Sequence, residues 1–369
     1  MRIVVDCRYT RLGHHDGISR YGARIAEALG RLHPVTMLIS DERQLAMLPE
    51  LPWAKVSGPT SPREPWVARQ VNRLEPDVVF TPMQTMGSWG RRYGLVLTLH
   101  DLIYYRHRTP PRELPAPIRL LWRLYHLAWW PQRLLLNRAD AVATVSQTTR
   151  GLIRRHRLTR RPVVVIGNAA DPVPEGTPPR RPPAEDGPRE LVYMGSFMPY
   201  KNVGTLARAM HGLPGHRLHL MSRAPAAERA RLEALAPEGA LVFHDGASDE
   251  EYHALLARAT ALVTLSRDEG FGIPLVEAMA LGTPVAVSDI PIFREIGGPA
   301  ARLVDPDDTD ELVAAVTALG IPEVWAAASE ASRVQAARFD WDRSAAELLE
   351  LLTRVAGERA GAQATSSSS

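Results

Sequence analysis

Short runs of β-branched and apolar residues recur along the chain, each closed by a turn and followed by a stretch with helical spacing. In the first half the runs are RIVVD (2–6), PVTMLI (34–39), DVVF (77–80), GLVLTL (94–99), AVATV (141–145) and PVVVI (162–166). They lack strict polar alternation, as strands covered on both faces do, and so predict a parallel sheet flanked by helices. Residues 171–189, DPVPEGTPPRRPPAEDGPR, break the pattern: proline, glycine and charge at this density leave no room for a helix interior or a central strand. The grammar then restarts with ELVYM (190–194), RLHLM (217–221), ALVFH (240–244), ALVTL (261–265), PVAVS (284–288) and ARLV (301–304).

This predicts an α/β chain of two domains, 1–170 and 190–339, joined by a linker at 171–189. An amphipathic helix at 340–355 is expected to return to the first domain, and 356–369 to form a disordered tail. Two open parallel sheets would face one another across a central cleft, with ligands beyond the carboxyl ends of the strands.

Composition narrows the class. A chain of 369 residues with 45% hydrophobic content can fill two cores. A single cysteine, Cys7, excludes a disulfide scaffold and argues against a cysteine-built metal site. The first apolar run is too short for a signal-peptide core, and no stretch reaches the about 18 apolar residues of a membrane span. The excess of 44 Lys+Arg over 41 Asp+Glu is too small to point to nucleic acid. A cytoplasmic location, at the inner face of the membrane where lipid is touched, is expected.

The densest chemistry lies in ALVTLSRDEGFGIPLVEAMALGTPVAVSD, residues 261–289. A strand runs into a turn containing Gly270 and Gly272, and Pro274 suits the first turn of a helix that Gly282 ends. A strand–glycine turn–helix start presents amide N–H groups and the positive end of the helix dipole, which suits phosphate. Glu277, expected in the first turn, would repel a diphosphate but can accept bonds from vicinal ribose hydroxyls. Glu269 is placed to meet a sugar ring beyond the phosphates. In YMGSFMPYKN (193–202) a second strand ends at Gly195–Ser196, and Lys201 follows, suited to neutralise a departing diphosphate. The Asp245–Gly246 turn precedes a helix with Ser248 as N-cap and Glu251 three residues on, and Gly246 is a candidate contact for a base.

In the first domain, Gly13 and Gly17 punctuate a polar loop ahead of a helix whose apolar side is Ile18, Tyr21, Ile25, Ala28 and Leu29. Gly17 would let backbone approach the donor, and the adjacent His14 and His15 are candidates for the acceptor side. His100 and Asp101 follow a buried strand directly, where an open sheet carries function. His100 suits a sugar hydroxyl. No further ligands at metal spacing accompany the pair, so no metal site is expected. Residues 118–138 mix Trp122, Trp129 and Trp130 with leucines and Arg119, Arg123, Arg133 and Arg138, and Pro131 splits them into two helices. They fit either a packing face between helices with the arginines outside, which is preferred, or an anionic membrane surface admitting a lipid-linked acceptor. A mobile loop is expected at 106–114.

These motifs resemble the GT-B-fold retaining glycosyltransferases of family 4, which include bacterial mannosyltransferases. The likeness covers about residues 1–355. Its most specific part is the E-x7-E motif, Glu269 to Glu277 in EGFGIPLVE, with LTLHD, ATVSQ, VIGNAADP, YMGSFMPYKN and LGTPVAVSD in the usual order. The resemblance implies two Rossmann-like domains. It implies that Glu277 binds the donor ribose, Glu269 the transferred sugar, Lys201 the diphosphate, and His100 lies beside the donor sugar. Gly17 and the backbone of Gly272, Ile273, Pro274 and Leu275 lie near the donor on the same likeness, and Gly195, Ser196 and Gly246 join them as donor-site candidates from their places in the turns. One departure is that Ser196 and Tyr200 stand where many members carry basic residues. The implied activity is retaining transfer of a hexose from GDP-mannose or a UDP-hexose to a saccharide or lipid-linked acceptor, with no tightly bound cofactor and no metal. Attack and departure share one face of the sugar, and a phosphate oxygen takes the acceptor proton. A nucleotide-sugar epimerase and a non-catalytic nucleotide-sugar-binding module are the competing readings.

Overall fold

The computed structural model describes residues 1–110, 116–173, 180, 182 and 189–367. They form two compact units, Met1–Asn168 with Asp340–Ser369, and Ala169–Phe339. The first unit holds strands β1 (Ile3–Asp6), β2 (Val35–Ile39), β3 (Trp53–Lys55), β4 (Val78–Thr81), β5 (Gly94–Leu99), β6 (Ala141–Thr144) and β7 (Val163–Val165). All pair in parallel, in the order β3–β2–β1–β4–β5–β6–β7. Of the runs without alternation, β1, β4, β5 and β6 are wholly buried, as strands covered by helices on both faces are, β2 is nearly so, and the edge strand β7 is only half-buried. Strand β3 had no apolar run to announce it.

The helix Gly17–Leu32 begins at Asp16, whose carboxylate accepts the Ser19 N–H at 2.9 Å, and it buries Tyr21, Ile25 and Leu29. The C-terminal helix Trp341–Ser367 packs along it. Trp341 meets Tyr21 with ring centroids 6.0 Å apart, and the Ser344 hydroxyl donates to the Gly167 carbonyl at 3.0 Å. The segment expected as a disordered tail from 356 instead continues this helix to Ser367. Its alanines, Glu358, Arg359 and Gln363 are good helix formers, and extending an existing helix needs no new nucleus.

The second unit holds β8 (Arg189–Tyr193), β9 (His216–Leu220), β10 (Leu241–Phe243), β11 (Ala261–Thr264), β12 (Val285–Ser288) and β13 (Ala301–Val304), parallel in the order β10–β9–β8–β11–β12–β13. Leu191, Tyr193, Leu206, Val263 and Trp325 anchor its core. Most of the expected linker 171–189 lies outside the described residues. Arg180 within it is held to this unit: it donates to Thr283 Oγ1 at 2.7 Å and the Ala259 carbonyl at 2.8 Å, and lies over the Trp325 ring. The expected loop at 106–114 lies outside the described residues from 111 onward.

In each sheet the strand order reverses once, between β1 and β4 in the first and between β8 and β11 in the second. The loops leaving the carboxyl ends of such neighbours part to opposite faces and open a crevice. In the second unit those two loops are the segments that carry Gly195, Ser196 and Lys201, and Glu269, Gly270 and Gly272.

Candidate functional site

Strand β8 runs into a turn tied by Tyr193, whose hydroxyl donates to the Ser196 carbonyl at 2.7 Å. Burial raises the Tyr193 pKa well above the phenol range, so the hydroxyl stays a donor. A short 3₁₀ turn, Pro199–Lys201, follows and ends at Asn202, held left-handed at φ +55° by bonds from its amide to the Pro306 carbonyl (2.6 Å) and from the Thr205 hydroxyl (2.8 Å). The turn is also stitched to the neighbouring loop, since the Arg267 N–H donates to the Tyr200 carbonyl at 2.8 Å.

That neighbouring loop leaves β11 and reaches the helix Ile273–Ala280. Gly272 caps the helix at φ +97°, where a β-carbon would come 3.0 Å from Phe293 Cε1. The Leu275 N–H turns back to the Gly272 carbonyl at 3.0 Å, and Pro274 has no N–H. Of the four backbone positions expected at phosphate, Gly272 and Ile273 are therefore the ones whose amides this helix start can present. Glu277 is the fifth residue of the helix, one turn later than expected, because the helix starts at Ile273. Its side chain is buried.

Across the switch point, Lys201 Nζ lies 2.5 Å from Glu269 Oε1, each side chain 15% exposed. The diphosphate candidate and the sugar candidate thus neutralise one another in the unliganded protein. The Arg267 guanidinium, the cation nearest in sequence to this pair, is bound to Asp307. Gly246 stands apart, after the edge strand β10, in a turn where Asp245 (φ +52°) and Gly246 (φ +97°) are both left-handed.

In the first unit, His100 follows β5. Its Nε2–H donates to the Pro82 carbonyl at 2.8 Å, and its ring meets the edge of Tyr21 at 5.1 Å. Burial lowers its pKa against the pull of the Pro82 carbonyl and the Asp101 and Asp16 carboxylates. A neutral ring with the proton on Nε2 leaves Nδ1 to accept a hydroxyl. Asp101 caps the next turn, accepting the Ile103 N–H at 2.9 Å. Gly17 is exposed at its helix start, His14 is exposed, and His15 Nδ1 bonds the Ser19 hydroxyl at 2.7 Å.

Sequence reading missed Arg8 as an organiser of this end of the first sheet. Its guanidinium is fully buried against Asp6, at 2.8 Å, and Glu64, at 2.6 Å. Only the odd placement of an arginine straight after a buried strand hinted at it. Residues 118–138 form the helices Ala116–Tyr125 and Trp130–Leu136, with Pro131 in the first turn of the second. The preferred packing reading holds for Leu136, which is buried in the core, and fails for most of the other leucines. Leu120, Leu121, Leu124, Leu127 and Leu134 are exposed together with Ile118, and Trp130 is 65% exposed. Among the described residues no group of three or more His, Cys, Asp or Glu could hold a metal ion, and no single helix is long and apolar enough to cross a membrane.

Residues 15–173 match the sequence family described as Glycosyltransferase Family 4, and residues 178–321 match Glycosyl transferases group 1. The chain belongs to family 4 of the glycosyltransferases. It is related to mannosyltransferases. It is 52% identical over 68 residues to the O-antigen chain mannosyltransferase RfbU of Salmonella typhimurium, covering 18% of this chain and 19% of that protein. The chain therefore aligns with about a fifth of that curated relative's length. Its fold is shared along nearly the whole length with sucrose-phosphate synthase from Thermosynechococcus elongatus (TM-score 0.70, 21% identity, 96% of this chain and 99% of that one). The Anabaena protein HepE, solved in complex with UDP-glucose, is similar too (TM-score 0.68, 18% identity, 96% and 100%). This family 4 member thus has the GT-B fold, two Rossmann-like units with parallel sheets.

Proposed function

We propose that the protein moves a hexose from a nucleotide diphosphate sugar, GDP-mannose or a UDP-hexose, to a hydroxyl acceptor with retention of anomeric configuration. The observation that carries this is the Lys201–Glu269 pair at the second sheet's switch point, beside a glycine-capped helix that bears Glu277 in its second turn. A diphosphate satisfies Lys201 and the amides of Gly272 and Ile273. Glu269, released from the lysine, accepts hydroxyls of the transferred sugar, and Glu277 accepts those of the ribose. Gly195, Ser196 and Gly246 line the nucleotide. In the first unit, Gly17 and the Nδ1 acceptor of His100 are the groups proposed to meet sugar hydroxyls. The kinship with a mannosyltransferase and the UDP-glucose found in HepE support an activated hexose.

The chemistry asked of these groups is modest. The bond from the anomeric carbon to the diphosphate oxygen breaks, and charge collects on the leaving group, where Lys201 and the helix-start amides stabilise it. The acceptor oxygen bonds the same face of that carbon, and its proton passes to a non-bridging oxygen of the departing phosphate. No protein nucleophile and no metal enter this course.

The exposed leucines and Trp130, flanked by Arg119, Arg123, Arg133 and Arg138, support a peripheral contact with anionic lipid and a lipid-linked acceptor. On this reading the protein works at the cytoplasmic face of a membrane.

Calorimetric titration of GDP, UDP and ADP, and of their sugar conjugates, into wild type, Glu277→Ala and Glu277→Gln tests the donor site. One nucleotide should be selected, and losing the carboxylate should weaken it by about 10- to 100-fold, the worth of charge-assisted hydrogen bonds. Wild type that binds none of them would overturn the reading. With acceptor present, product of unchanged anomeric configuration supports retention. An epimerised donor without acceptor would indicate an epimerase, and binding without any nucleotide release would indicate a binding module.

A further inference from the structure

Four side chains outside the groups used above stand in one line from β8 across β9 to the end of the edge strand β10. Glu190 on β8 touches His219 Nε2 on β9, His219 Nδ1 lies 2.8 Å from His244 Nε2, and His244 Nδ1 lies 2.6 Å from Glu251 Oε1. His219 and His244 are largely buried and Glu251 is half exposed. Glu251 is the acid expected to complete a capping box. Its backbone N–H does donate to the Ser248 hydroxyl at 3.1 Å, but its carboxylate is spent on His244 instead.

Each of the three contacts needs one proton. Ionised carboxylates bring none, and two neutral imidazoles bring one each, so a third proton is required. Burial holds the His219 pKa down against the Glu190 carboxylate, with His244 and Arg258 adding to the lowering. The third proton belongs to the pair of rings, which pass their hydrogen bonds outward to Glu190 at one end and Glu251 at the other.

We infer that the His219–His244 pair holds one proton more than two neutral rings, and that the line of contacts this proton completes fixes the left-handed turn Asp245–Gly246. This rests on the proposed donor role of Gly246 only for its consequence in binding. The His244 N–H donates to the Leu220 carbonyl at 3.1 Å, and the N–H groups of Gly246 and Ala247 both reach the Met221 carbonyl, at 3.2 and 3.0 Å. A ring pinned at both nitrogens locks the residue that opens this turn. The other charges facing it are Asp245, whose carboxylate pairs with Arg229 at 3.1 Å, and Arg223, which donates to the Asp245 carbonyl at 3.2 Å. Removing the third proton breaks one of the three contacts, whichever oxygen or nitrogen gives it up.

Ring ¹⁵N shifts and amide exchange of wild type and Glu251→Gln at about pH 6 and about pH 8.5, a span that brackets histidine titration, test the assignment. At the lower pH the pair should show one neutral ring and one imidazolium. At the higher pH the imidazolium should vanish and the Gly246 and Ala247 amides exchange about tenfold faster after correction for intrinsic rate, the loss of one charged hydrogen bond. Glu251→Gln, whose amide can donate to Nδ1, should lack the imidazolium at both pH values and flatten the exchange profile while staying folded. Two neutral rings at about pH 6, or exchange that ignores pH, would overturn the inference. Nucleotide affinity measured on the same samples separates the two readings: a turn that responds to pH in a protein that binds no nucleotide refutes the donor site and leaves the proton assignment standing.

Discussion

Gly272 and Gly246 share φ +97° but not their surroundings, and alanine at each separates backbone strain from packing. An L-residue in the left-handed region costs about 1–2 kcal/mol. Both variants also stabilise by roughly 0.4–1 kcal/mol through the unfolded chain, and that effect cancels between them. At Gly246 a β-carbon meets nothing closer than Arg223 Cβ at 3.9 Å, an ordinary contact. At Gly272 it would stand 3.0 Å from Phe293 Cε1 and 3.5 Å from Cδ1, and Phe293 is 1% exposed. A buried ring cannot step aside without moving its neighbours, and overpacking of this kind costs about 1–3 kcal/mol. Gly272→Ala should therefore destabilise the second unit by about 1–3 kcal/mol more than Gly246→Ala does. For a unit of this size that is a further drop of roughly 2–12 °C in its melting temperature. Denaturant titration and calorimetry on the two variants read the difference directly. Equal losses, to within about 0.5 kcal/mol, or a larger loss at Gly246, would refute the claim that Phe293 makes the helix cap intolerant.

Glu269→Gln frees Lys201 from its ion pair, so plain nucleoside diphosphate should bind about 3- to 10-fold tighter while the preference for the sugar conjugate falls; unchanged affinities in calorimetry would argue against a shared site. Replacing Leu121 and Trp130 together by glutamate should reduce co-sedimentation with anionic vesicles at least about tenfold without altering nucleotide affinity, and equal sedimentation would remove the membrane contact. Burial works to raise the Asp140 pKa, but the Arg91 guanidinium, 2.6 Å away, and the Leu95 N–H outweigh it and hold the carboxyl below its ordinary range. A depressed folded-state pKa stabilises above the unfolded value of about 3.9 and is lost as pH falls through the folded one, so Asp140→Asn should cost about 1–3 kcal/mol near pH 7 and progressively less below about pH 4 in denaturant titrations.

The sheets were legible because buried strands advertise themselves as unbroken runs such as VVF and LVLT, and the glycine–proline punctuation around Gly272, Pro274 and Gly282 marked where one helix starts and stops. These are local signals, set by backbone sterics and by burial on both faces, and any stretch of chain carries them alone. Strand β3 escaped notice because WAK owes its place to pairing with β2 rather than to its own composition. Tertiary structure alone decided what depends on neighbours distant in sequence. It brought Lys201 against Glu269 because strand order makes β8 and β11 adjacent, whereas sequence offered two separate motifs. It lined up Glu190, His219, His244 and Glu251 from two strands, the turn after a third and a helix, none of which signals the others. It turned Leu120, Leu121, Leu124, Leu127 and Leu134 outward, a choice invisible in an amphipathic pattern, since that pattern shows which residues share a face but not whether protein covers it.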